Sequence, residues 1–161
     1  MNTHTNLLNP QQQSWNHACV VGLGATGFSC VCYLEQLGVH VSVFDRRKNT
    51  PFLDRLHQEK PDVITHLGKF DEEEFKKADV LVVSPGVSLV QPSIVAAREA
   101  GVEIIGDIEL FARSVHKPIV GITGSNGKST VTRLTEALFE AAGVNVLTGG
   151  NIGRPALDLL N

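Results

Sequence analysis

Short apolar runs alternate along the chain with segments whose apolar positions recur at helical spacing. That alternation predicts a parallel sheet built from repeated strand-helix-strand units. Strands are predicted at 18–21, 39–44, 62–65, 80–83, 103–105, 118–123 and 144–147. Two helices are well marked between them, 26–37 and 128–142, followed by Gly38 and Gly143, where a left-handed C-terminal cap is wanted. The first would bury Phe28, Val31 and Leu34. The second carries Val131, Leu134, Leu138 and Ala141 on one stripe, with Arg133, Glu136 and Glu140 off it. The run 71–77, DEEEFKK, places acids first and lysines last, as suits the dipole of a short surface helix.

The fold class read from this pattern is α/β: a Rossmann-like parallel sheet over residues 1–106, then the start of a P-loop ATPase-type unit over 107–161. Residues 1–17 read as a loose polar leader, in which Trp15 is the one packing anchor. The residues after 106 supply about two strands, too few for a parallel sheet covered on both faces, so the second unit is expected to be incomplete.

Composition changes this picture little. The 161 residues are 42% hydrophobic and 19% charged, with a formal net charge of -3. An acidic balance of that size gives no basic footprint for nucleic acid. The leader holds no Lys or Arg and no apolar core, so it does not read as a signal peptide. No apolar run approaches the ~20 residues of a membrane span, and no membrane partner is expected. Cys19, Cys30 and Cys32 form neither a C-x-x-C pair nor a metal-ligand spacing and read as small buried hydrophobes of a reducing compartment. The six histidines show no paired spacing and read as surface or satisfied side chains.

Two glycine loops carry the candidate chemistry. Gly22-Leu23-Gly24-Ala25-Thr26-Gly27 follows a strand and opens a helix, with Asp45 at the end of the next strand. Such a turn lets a phosphate approach the backbone at a helix N-terminus, and in a dinucleotide enzyme the acid would bond a ribose hydroxyl. The second loop, Gly124-Ser125-Asn126-Gly127-Lys128-Ser129-Thr130, stands between strand 118–123 and the long helix. A strict Walker loop would have glycine at 122, where this chain has Ile122. Gly124 and Gly127 still permit inward-facing N–H groups, and Lys128 is placed to neutralise β- and γ-phosphate oxygens, with Ser129 or Thr130 on Mg²⁺. Ser84-Pro85-Gly86 and Gly149-Gly150-Asn151-Ile152-Gly153 also follow strands and would face the same carboxyl edge. Three readings are open on these residues alone: a nucleotide-using ligase, an NAD(P)-binding oxidoreductase and a non-catalytic nucleotide-binding module.

Taken in order, the loops at 22–27, 84–86, 122–130 and 149–153, with Gly-Asp-Ile-Glu-Leu-Phe at 106–111, resemble the Mur ligase family across most of 18–161. The Thr-Gly-Ser-Asn-Gly-Lys-Ser-Thr loop at 123–130 is shared across the superfamily. The 106–111 and 149–153 segments are similar to the D-glutamate-adding branch.

The resemblance implies cytoplasmic, ATP- and Mg²⁺-dependent amide formation in peptidoglycan synthesis. The carboxylate of UDP-N-acetylmuramoyl-L-alanine would take the γ-phosphoryl group, and the amine of D-glutamate would displace phosphate. By position, Gly24, Ala25, Thr26, Asp45, Arg46, Arg47, Ser84, Gly86 and Asn151 match residues that hold the UDP-sugar. Residues 124–130 match the ATP loop, with Lys128 as its catalytic cation. Asp45-Arg46-Arg47 departs from the family's usual Asp-Thr-Arg, so either arginine could meet the uracil and phosphates. The family's remaining metal and catalytic groups, and its D-glutamate site, would lie beyond residue 161. The fragment is therefore expected to bind UDP-sugar without ligating.

Overall fold

In the computed structural model, which describes residues 15–151 and 153–160, five parallel strands stand in the order β3-β2-β1-β4-β5. They are β1 His17–Val21, β2 His40–Asp45, β3 Ile64–Leu67, β4 Val80–Val83 and β5 Glu103–Ile105. The intervening helices are α1 Ala25–Gln36, α2 Leu53–Glu59, α3 Glu72–Lys76 and α4 Pro92–Glu99. After β5 come α5 Asp107–Ser114, α6 Lys128–Ala141 and a 3-10 turn, Ala156–Leu159. The predicted leader falls mostly outside the described residues, as do Ile152 and Asn161. His17, assigned to the leader, instead opens β1, because its N–H and that of Asn16 are taken up by the Asp79 carboxylate at 2.9 and 2.7 Å.

A parallel sheet covered on both faces needs apolar side chains on both. The alternation within each strand delivers them. Ala18 and Val20, Val41 and Val43, and Val80 and Val82 face a layer holding Phe28, Val31 and Leu34 of α1, Leu56 of α2 and Leu110 of α5. Cys19 and Val21, Phe44, and Leu81 and Val83 face Phe75 of α3 and Ile94 and Ala97 of α4. All three side chains predicted for the buried face of α1 are there, and Trp15 packs at the edge of the same layer. Burial pushes the Cys19 thiol up to about 12 and raises Cys30 as well, so both act as small hydrophobes. Asp71 caps α3 by accepting from the N–H groups of Glu73 and Glu74, and Lys76 and Lys77 pair with the acids one turn earlier.

The largest differences from the sequence pattern lie in β3 and in the last two predicted strands. β3 runs Ile64–Leu67 rather than 62–65, since its register follows β2, with Ser42 opposite Ile64 and Asp45 opposite Leu67. Segments 118–123 and 144–147 form no ladder. A strand is ordered by its neighbours, and one strand-helix-strand unit cannot cover both faces of its own two strands. The α6 helix forms as expected, yet its stripe is open to solvent: Val131, Leu134 and Leu138 are 49%, 60% and 71% exposed.

Residues 107–161 are nonetheless tied to the sheet at two points. Leu110 of α5 and Leu157 of the 3-10 turn are buried in the layer under α1. Truncating Leu34, fully buried in that layer, by Leu34→Ala is expected to cost about 2–5 kcal/mol, read as a lowered urea midpoint with unchanged slope.

Candidate functional site

β1 has β2 on one side and β4 on the other, so the connections leaving β1 and β4 diverge and leave a crevice at the carboxyl edge of the sheet. A cleft of about 600 Å³ occupies it. Its walls come from the β1–α1 turn (Gly22, Gly24, Ala25, Thr26), the end of β2 (Asp45, Arg46, Arg47), the loop after β4 (Ser84 to Ser88) and Asn151. Every residue matched by position to UDP-sugar binding thus lines one cavity.

The turn is held from three sides. Gly22 donates to the carbonyl of Phe44 at 2.7 Å, Ser84 Oγ donates to the carbonyl of Gly22 at 3.0 Å, and Leu23 N–H donates to Asp45 Oδ2 at 2.8 Å. Behind it, α1 approaches so closely that a Cβ on Gly27 would stand 1.9 Å from the carbonyl oxygen of Gly22. Only glycine fits there. The helix starts after Gly24 with no side-chain cap and no acid in its first turn, which leaves its opening N–H groups and partial positive charge directed at the cleft.

Asp45 is 4% exposed, and its carboxylate is fully engaged. Oδ1 accepts from Arg47 N–H at 2.8 Å and Arg47 Nε at 2.9 Å, while Oδ2 accepts from Leu23 N–H and from Arg47 Nη2 at 2.7 Å. A carboxylate has about four acceptor positions. All are filled by the protein itself. Burial raises the Asp45 carboxyl, but the Arg47 guanidinium and the two N–H groups outweigh it and hold the group below its usual value. Arg47 also reaches the Leu23 carbonyl at 3.3 Å. Arg46, exposed beside it, has no ion-pair partner among the described residues. The pair therefore divides the labour: Arg47 is fixed on Asp45, and Arg46 keeps a free charge at the rim.

The second glycine loop lies outside this cleft. Gly127 adopts a left-handed conformation, φ 74°, and α6 follows without a side-chain cap. The first intrahelical bond runs from Val131 N–H to the Gly127 carbonyl. The N–H groups of Lys128, Ser129 and Thr130 therefore end the helix as an open anion site. Lys128 Nζ donates to the carbonyls of Gly124 at 2.6 Å and Ser125 at 3.3 Å, which keeps the ammonium over the loop. Ser125, Asn126, Ser129 and Thr130 are exposed. The exposed N–H groups and the ammonium give the loop the chemistry to fit a polyphosphate.

The model of the Mur ligase MurD-like N-terminal domain matches residues 16–106. The chain belongs to the MurD-like Mur ligase family. The UDP-N-acetylmuramoylalanine--D-glutamate ligase of Nitrosococcus oceani is 52% identical over 141 residues, covering 88% of this chain and 31% of the relative. The same-named enzyme of Salmonella choleraesuis is 54% identical over 142 residues, covering 88% and 32%. Among solved structures, a pseudomurein peptide ligase type C from Methanothermus fervidus aligns with TM-score 0.53 and 28% identity, over 80% of this chain and 26% of that one. The chain spans about a third of the length of the curated relatives it matches.

Membership in the MurD-like family accords with the state of Asp45. The dinucleotide reading gave that acid a ribose hydroxyl to bind, and the carboxylate has no acceptor position left for one. The sequence pattern did not single out Phe70, Val87, Ser88 and Gln91, which complete the cleft lining. Gln91 precedes Pro92 at the first turn of α4, a helix-start signal that places the end of the β4 loop at the same edge. Phe70 follows β3 in no recognisable motif, and its position depends on the β2–β3 register.

Asp45→Asn removes the charge from this clasp and is expected to destabilise by about 1–3 kcal/mol at pH 7. Because the folded carboxyl is held below its ordinary 3.8, its contribution is complete above about pH 4 and is lost as pH falls through the lowered value. Urea midpoints of parent and variant should accordingly differ most at pH 7, and the difference should narrow as pH falls below 3.8. Gly27→Ala forces α1 away from Gly22 and is expected to cost about 1–3 kcal/mol, with loss of any ligand held by the turn, measured by thermal unfolding and calorimetric titration.

Proposed function

We propose that the cleft binds UDP-N-acetylmuramoyl-L-alanine by its nucleoside diphosphate, and that the chain is the substrate-binding and ATP-loop part of a cytoplasmic D-glutamate ligase of peptidoglycan synthesis. The observation that carries the reading is an uncapped helix N-terminus and an arginine, Arg46, without an ion-pair partner among the described residues, in one cleft whose acid is already saturated. Such a site attracts a diphosphate and offers a carboxylate acceptor to no ribose. The names of the relatives supply the substrate class, and the positions at 24–26, 45–47, 84, 86 and 151 supply the match.

In this reading the first N–H groups of α1, with Thr26, meet the diphosphate, and Arg46 adds its charge from the rim. Asp45 holds Arg47 and the turn in place rather than touching ligand. Residues 107–161 begin the ATP-binding unit. There the N–H groups opening α6 and the Lys128 ammonium would hold the β- and γ-phosphates, and Ser129 or Thr130 would give a hydroxyl to Mg²⁺. ATP supplies the phosphoryl group that activates the muramoyl-alanine carboxylate for attack by the D-glutamate amine. This chain's part is to bind, orient and neutralise charge.

Calorimetric titration with UDP-N-acetylmuramoyl-L-alanine, UDP and NADH in one buffer tests the reading. Saturable binding of the first two without an NADH signal is expected, and NADH binding in their place would overturn it. Lys128→Ala should weaken ATP binding by at least tenfold, as loss of a charge-assisted phosphate contact of roughly 1.5–3 kcal/mol requires, and leave UDP-sugar affinity unchanged.

A further inference from the structure

Among the described residues, Asn151 is the one lining residue of the cleft that comes from beyond α5, and the means by which it gets there is visible in the chain that follows it. Gly149 and Gly150 pair back with Arg154, and residues 153–160 then dock on the first helix. Gly150 N–H donates to the Arg154 carbonyl at 2.7 Å, and Gly149 and Arg154 form an isolated bridge. A Cβ on Gly149 would stand 2.7 Å from that carbonyl oxygen and 2.8 Å from Leu159 Cδ1, so the loop admits no side chain there. Asn151 sits at its tip. Behind the loop, Ala156 and Leu157 are 4% and 2% exposed against α1 and α5. Ser29 Oγ, on the buried face of α1, donates to Asp158 Oδ1.

The Ser29 bond is informative because a helical serine has a nearer choice, the carbonyl four residues back. Here the hydroxyl, on a residue only 3% exposed, is spent on a carboxylate 129 residues away in sequence. Burial of Leu157 is non-directional and would tolerate sliding of the segment along α1. A charge-assisted hydrogen bond to one helix position fixes its register.

We propose that Ser29 and Asp158 form a latch that seats the strap, residues 153–160, on α1 and thereby holds Asn151 at the nucleoside-diphosphate cleft. Both are positioning residues: neither lines the cleft, and both act through Asn151. The inference rests on the reading of the cleft given above.

The test uses the full-length ligase and two readouts. Amide hydrogen exchange over 153–160, without ligand, reports strap docking, and calorimetric titration with UDP-N-acetylmuramoyl-L-alanine reports its consequence. Ser29→Ala and Asp158→Ala should each speed exchange in the strap while β1, β2 and β4 keep their protection. Each should weaken binding by roughly two- to tenfold, the range of one lost hydrogen bond. Asp158→Asn, which keeps an acceptor oxygen but not the charge, should fall between the parent and Asp158→Ala in both properties. Asn151→Ala should weaken binding in the parent but add nothing in the Asp158→Ala background, a coupling that a merely structural role would not produce. The latch is overturned if exchange in the strap is unchanged in both alanine variants, or if exchange rises with no change in affinity. A parent that binds no UDP-sugar refutes the reading of the cleft and with it the latch's role in binding, while the exchange data still decide whether the latch exists.

Discussion

The position of β1 governs the rest of the molecule. It is bonded to β2 on one side and β4 on the other, and Ala18 to Val21 are without solvent exposure. A strand buried on both faces and both edges can only be apolar, and its side chains must serve two cores at once. The alternation of Ala18 and Val20 against Cys19 and Val21 does this. Because β1 connects through α1 to β2 on one side and β4 connects through α4 to β5 on the other, the loops leaving β1 and β4 part company and open the crevice. The cleft is a consequence of strand order before any side chain lines it.

Within the crevice, charge is arranged by subtraction. The protein places an acid at the end of β2 and then uses all of its acceptor capacity on Leu23 and Arg47. The effect is to tie the glycine turn to β2 and leave the cleft positive at Arg46 and at the start of α1. The same scaffold with a free carboxylate there would suit a dinucleotide ribose. One arginine placed two residues after the acid changes what the acid can do.

The second glycine loop follows a different logic. Its geometry is local: a glycine turn, an uncapped helix and a lysine one turn from the carbonyls it contacts. It forms although 118–123 and 144–147 remain unpaired and the apolar stripe of α6 is in solvent. Local hydrogen bonds suffice for a loop and a helix start, whereas a sheet demands neighbours.

The sequence alone determined whatever is short-range or periodic. The apolar alternation marked all five strands that form and the buried face of α1, and the glycine-rich sequences marked the two turns that open α1 and α6, because each depends on residues adjacent in the chain. The resemblance in those loops also marked the residues that come together in the cleft. Tertiary structure decided what depends on pairing across distance. It shifted β3 to match β2, brought Phe70 and Gln91 to the cleft, joined Asp158 to Ser29, and left two apolar segments without a ladder. It also decided the role of Asp45. The residue and its place were legible, but the saturation of its carboxylate depends on where Leu23 and Arg47 point their N–H groups, and only the folded turn fixes that.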